Sequence, residues 1–91
     1  MKNNSSDFSP ARPHTQVTSG EAIRILRGKK GWTQEELARR SNISATNLSM
    51  LENDRLEIGK RRALALAKAF GVHPAIIMFP EYESRDIAKA A

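Results

Sequence analysis

Ninety-one residues, 27% of them charged and 40% hydrophobic, suffice for one small domain with flanking segments. The chain has no cysteine, which excludes a disulfide framework or a thiolate metal site. It also has no apolar run near the ~20 residues that cross a bilayer and no apolar core of a signal peptide, so a cytoplasmic protein without a membrane partner is expected. The formal net charge of +5 points towards a polyanionic partner.

Residues 1–17 (MKNNSSDFSPARPHTQV) hold two prolines, several Ser and Asn, and only Phe8 and Val17 as sizeable apolar groups. Such a segment buries too little surface to offset the entropy of ordering, and a disordered N-terminal arm is expected. Five helical signatures follow over residues 18–80, with no alternating strand pattern between them. Thr18 and Glu21 form a capping-box pair, Ala22, Ile23 and Leu26 share a face, and Gly31 is a stop. Thr33 and Glu36 form a second such pair, opening a helix with Leu37 and Ala38 inward that ends at Arg40 or Ser41. Asn42 tolerates the left-handed conformation. Ser44 then caps a third helix, residues 44–53, with Leu48 and Leu51 on its inner face. The fourth, Lys60 to Phe70, is expected to turn Ala63, Leu64, Ala67 and Phe70 inward and to stop at Gly71. Pro74, as first helical residue, opens a short fifth helix through Met78, and Pro80 ends it. The tail, residues 81–91, is thin in apolar groups. The fold expected is all-α, a compact five-helix domain.

Between Gln34 and Asn53 the chain reads QEELARRSNISATNLSMLEN. Two short helices joined by a turn of three or four residues must cross closely. They need a small residue at the crossing (Ala38), a turn residue that accepts positive φ (Asn42) and apolar anchors on both sides (Leu37, Ile43, Leu48, Leu51). This is the physical specification of a DNA-binding helix-turn-helix.

At these residues the sequence resembles the lambda-repressor-like, Cro-type helix-turn-helix family. The resemblance runs from Ile23 to about Phe79, through IRILRGKKGWTQEELA, the turn NIS, LSMLEN and LAKAFGVHP. Two departures are Asn42, where the family usually has Gly, and Lys60-Arg61-Arg62, where an apolar residue is common. The resemblance implies that helix 44–53 enters the major groove and that Ala45, Thr46, Ser49 and Met50 touch base edges. It implies that Gln34 bonds a phosphate and braces the recognition helix, that Asn47 and Asn53 meet the sugar-phosphate backbone, and that Arg27 and Glu52 form an internal ion pair. None of the four base readers is an Arg, Gln or other bidentate group. Ala45, the Thr46 methyl and Met50 suit thymine methyl groups, and the Thr46 and Ser49 hydroxyls pair with a donor or an acceptor.

Lys60, Arg61 and Arg62 stand at the start of a helix, against the positive end of its dipole, which costs on the order of 0.3–1 kcal/mol for each exposed cation. That placement points to a use elsewhere, and in the resembling family this stretch lies along the phosphate backbone. Arg55 extends the stripe; Arg39 and Arg40 either extend it or form a solvated face. Trp32 reads as a core plug, and His73 before Pro74 as a helix cap. Ile25 either packs under the arm or sits at a subunit contact. Ile76, Met78, Phe79 and Tyr82 are core residues first and dimer residues second, and a homodimer through the fifth helix and tail is expected. With two histidines and no clustered carboxylates, no metal site, cofactor or enzymatic centre is expected. Gly28-Lys29-Lys30 lacks the second glycine and strand context of a phosphate-binding loop. Two functions fit. One is a transcriptional regulator, a repressor that occludes a promoter on double-stranded DNA. The alternative is the antitoxin of a toxin–antitoxin pair, suggested by HPAIIMFPEYE and the polar arm, with a small toxin as partner.

Overall fold

In the computed structural model, which describes residues 17–80, each helix begins and ends where local chemistry demands. The expected arm (bar Val17) and the tail 81–91, with Phe8, His14 and Tyr82, lie outside these residues. Thr18 accepts the Glu21 amide while the Glu21 carboxylate accepts the Thr18 amide, both at 3.0 Å, and α1 (Ser19–Lys30) starts there. Gly31, at φ 71°, closes it in the left-handed conformation. Thr33 accepts from the Glu36 amide to open α2 (Gln34–Ser41), and Asn42 ends it at φ 59°. Ser44 caps α3 (Ala45–Glu52) through the Asn47 amide at 3.1 Å. α4 spans Lys60–Phe70, and α5 is the single turn Ala75–Met78. Pro74 stands one residue earlier than expected, in the capping position of α5. The His73 Nδ1 accepts the Ala75 amide at 3.0 Å beside it. No strand occurs among the described residues.

Two further local expectations are corrected. Only half of the second capping box forms, because the Glu36 carboxylate binds Arg39 and Arg40 instead of reaching back to Thr33. Leu64 is 48% exposed, and Leu66 takes its place in the core. With Ala63, Ala67 and Phe70 fixed inward, the 3.6-residue period brings position 66 onto their face and rotates 64 about 100° away from position 63.

The core joins all five helices. Ile23, Leu37, Leu48, Leu51, Leu66 and Ile77 are its fully buried large side chains, each worth about 1.5–3 kcal/mol of transfer free energy. Trp32 packs against this core, its ring stacked on Phe70 with centroids 5.8 Å apart. The Arg40 guanidinium lies over Trp32 at 4.3 Å.

The backbones of α1 and the end of α3 approach closely at Gly20. A Cβ on Gly20 would stand 2.4 Å from the Leu51 carbonyl oxygen and 2.7 Å from that of Glu52. Gly28, in the same helix, has nothing within 4 Å of such a Cβ. Alanine improves helix propensity at both positions by up to about 1 kcal/mol, so the pair separates propensity from packing. Gly28→Ala is expected to raise the melting temperature by a few degrees. Gly20→Ala is expected to lower it despite the same propensity gain, as thermal denaturation followed by circular dichroism will show.

Candidate nucleic-acid interface

The turn between α2 and α3 is built by short polar contacts. The Ser41 hydroxyl donates to the Leu37 carbonyl at 2.7 Å and accepts from the Ile43 amide at 3.3 Å, which anchors both sides of Asn42. With Leu48 and Leu51 committed to the core, helical geometry gathers Ala45, Thr46, Ser49, Met50 and Asn53 on the opposite side of α3. Thr46, Met50 and Asn53 are exposed, and Ala45 and Ser49 half-buried. The face carries no charge. The Asn53 side-chain amide donates to the Ser49 carbonyl at 2.8 Å and so helps close the helix end.

α3 is held from behind through Glu52, whose side chain is only 2% exposed. The Arg27 guanidinium grips it at both oxygens, Nε to Oε2 at 2.7 Å and Nη2 to Oε1 at 2.9 Å. Gln34, the first residue of α2, donates to Oε1 at 3.1 Å. Arg27 also donates to the Trp32 carbonyl at 3.0 Å, and Arg24 donates to the Glu52 carbonyl at 2.8 Å. Arg24 gives no signal in the sequence because it sits on the exposed side of α1; only the crossing of α1 and α3 brings its long side chain to Glu52.

A second group forms where α3 meets α4. Asn42, Ser44, Asn47, Gly59, Arg61 and Arg62 line an open groove of about 500 Å³. Gly59 offers α4 no side-chain cap, so the first-turn amides of that helix have no side-chain acceptor. A positive dipole end and two guanidinium groups therefore share one groove, an arrangement suited to an anion. Lys60 is exposed beside it and does not line it. Arg39 and Arg40 stand apart, both paired with Glu36, Arg40 at 2.6 Å. Arg55 is exposed in a different groove, with Leu56, Ile58, Met78 and Phe79, and its amide donates to the Met50 carbonyl at 2.8 Å.

A model of the helix-turn-helix family matches residues 23–77. The chain belongs to this family. It is 45% identical over 51 residues to a competence pilus inhibition repressor of Acinetobacter baylyi, a stretch covering 56% of this chain and 46% of that protein. It is 36% identical over 61 residues to a hypothetical transcription factor of Neisseria meningitidis serogroup B, covering 67% of this chain and 58% of the relative. The chain thus spans about half the length of the curated relatives it matches. Among solved structures, the P22 c2 repressor in complex with a synthetic operator is similar at a TM-score of 0.66 and 28% identity, over 70% of this chain and 97% of that one. The crystal structure of a hypothetical transcription factor from Neisseria is similar at the same TM-score and identity, over 92% of this chain and 98% of that one. Members of the family thus share the α2–turn–α3 unit with this chain, and no helix among its described residues is long and apolar enough to cross a membrane.

The Glu52 cluster is expected to give the domain an acid dependence. Burial pushes the Glu52 carboxyl up, but hydrogen bonds from Arg27 and Gln34, with the charges of Arg27 and Arg24, more than reverse this and hold it below the ordinary carboxylate range. The hydrogen bond to Glu52 in turn raises Arg27. A carboxylate lowered in the folded state contributes stability that is present above its unfolded value, about 4.3. That contribution is lost as pH falls through the lower folded value. The melting temperature is therefore expected to drop between pH 5 and 3. In Glu52→Gln this part of the drop should disappear, at a cost of about 2 kcal/mol at neutral pH because the charge is lost while an acceptor oxygen stays. Calorimetric melts across that pH range check both.

Proposed function

We propose that this chain is a sequence-specific DNA-binding transcriptional regulator, a repressor, which seats α3 in the major groove. The observation that carries this reading is the uncharged outer face of α3, mounted on the Glu52 cluster and flanked by the Asn47–Arg61–Arg62 groove. The family, a relative named as a repressor and a neighbour solved on an operator support it. In this reading Ala45, Thr46, Ser49 and Met50 meet base edges. Asn47, Arg61 and Arg62 hold one phosphate stretch with Lys60 beside them, while Asn53 and Arg55 meet backbone near the other end of α3. Gln34 spends one side-chain N–H on Glu52 and keeps its other N–H for a phosphate at the start of α2. The antitoxin alternative gains no support from relatives named as a repressor and a transcription factor.

Repression would follow from occlusion: a domain lying across a promoter excludes the polymerase without any catalytic group. A two-fold operator calls for a two-fold protein, and a homodimer is part of the proposal. Phe79, 50% exposed at the end of α5, and half-buried Met78 supply an apolar surface for it.

Fluorescence anisotropy with duplexes tiling the DNA upstream of the gene, against scrambled duplexes, tests the proposal. A dimer neutralising several phosphates is expected to lose on the order of 10³–10⁵ in affinity between ~50 and 200 mM salt while preferring one duplex. Equal, weak binding to all of them would reject it. The uncharged face adds a second expectation. Replacing contacted thymines by uracil should weaken binding about fourfold for each methyl removed, and Met50→Ala should abolish part of that sensitivity.

A further inference from the structure

Asp54 is one of two non-glycine residues with positive φ among those described, at 57°. It directly follows α3 and its Asn53 cap, at the place where the chain leaves the recognition helix. A turn alone would be served better by glycine, which adopts this conformation without strain. The Asp54 carboxylate gives the reason for its presence. Oδ1 accepts the Gly20 amide at 3.0 Å and Oδ2 accepts the Thr18 hydroxyl at 2.7 Å. That hydroxyl also accepts the Glu21 amide at 3.0 Å, so a single oxygen caps α1 and ties it to the end of α3. The carboxylate lies at the positive end of the α1 dipole, where a negative charge is favoured. Beneath it, Gly20 permits the backbones of α1 and α3 to touch. The amides of Asp54 and Arg55 turn back onto the Leu51 and Met50 carbonyls at 3.1 and 2.8 Å.

From this juxtaposition we infer that Asp54 is a positioning residue for DNA reading: it latches the C-terminal end of α3 to the N-terminus of α1. In doing so it sets where Met50, Asn53 and Arg55 stand against the duplex. The inference rests on the reading of α3 as the recognition helix. It adds a determinant that touches no DNA and that neither the charge pattern nor the helix periodicity reveals. Glu52 and Arg27 hold α3 from its buried side; Asp54 holds it at its exit, and the two restraints fix its direction as well as its place.

The test uses the full chain and a duplex that it enriches from a random pool. Asp54→Gly relieves the backbone strain but removes the latch, and Asp54→Asn keeps an acceptor for Gly20 without the charge. At a temperature where circular dichroism shows both variants fully folded, Asp54→Gly is expected to bind the enriched duplex about tenfold more weakly, as for a lost charge-assisted hydrogen bond. Binding to scrambled DNA and the salt slope should be unchanged, and Asp54→Asn should fall between. Hydrogen exchange of the Gly20 and Met50–Asn53 amides is expected to accelerate in Asp54→Gly whether or not DNA is present. Affinity for the enriched duplex within twofold of wild type, or exchange that stays the same, would overturn the latch. Failure of the wild-type chain to enrich any duplex would reject DNA reading itself, and with it the positioning role.

Discussion

A carboxylate cut off from water must find partners on every side, and Glu52 finds them on two other helices. Arg27 reaches it from α1 and Gln34 from α2, while α3 carries it. Three helices therefore meet at one charged point. A buried ion pair is a weak source of net stability, since desolvation cancels much of the attraction. Its effect here is geometric: a misplaced α3 would leave a charge buried and unpaired, which costs far more than a shifted leucine. Hydrophobic burial by Leu48 and Leu51 supplies the driving force for docking α3, and Glu52 restricts how it docks.

The charges are divided along the same line. Glu52 and Asp54 turn towards α1 and are used for holding the helices together. Glu36 binds the two arginines of α2, which lowers its pKa chiefly through the Arg39 hydrogen bond. Much of the formal charge of +5 is thereby left to residues such as Lys60, Arg61 and Arg62, at a helix end where cations are disfavoured. An anion in the adjoining groove would reverse that penalty, since it would meet the guanidinium groups and the amide dipoles together.

Most of the fold is readable in the sequence because local chemistry decides it. Thr18, Thr33 and Ser44 begin helices and Gly31, Asn42 and Gly71 end them for reasons confined to a few neighbours. Much of what escapes is set by contacts distant in the chain. Leu66 is of another kind: with Ala63, Ala67 and Phe70 inward, the helix period already favours it over Leu64. Gly20 reads as an ordinary residue early in a helix until α3 passes over it. Asp54 is one more loop charge until its partners 34 and 36 positions earlier are seen. Glu36 chose between two local partners, Thr33 and the arginines, and ion pairing won over the amide. In the candidate site, the outer face of α3 follows from periodicity alone, whereas the gathering of Asn47, Arg61 and Arg62 depends on how α4 packs.

In the proposed reading of α3, so plain a set of readers must depend on how it is placed. An arginine reaching for guanine acts over several ångströms and tolerates small errors in the helix that carries it. A methyl group against a thymine methyl does not, because a gap of about 0.5–1 Å forfeits a quarter to a half of the dispersion well. A face made of Ala45, Thr46, Ser49 and Met50 thus demands a stiffer mount than a charged one. The mount found here has that character. The backbones of α1 and α3 touch at Gly20, two arginines bind Glu52 through its side chain and its carbonyl, and a carboxylate closes the exit at Asp54. In that reading, precision of placement stands in for strength of contact.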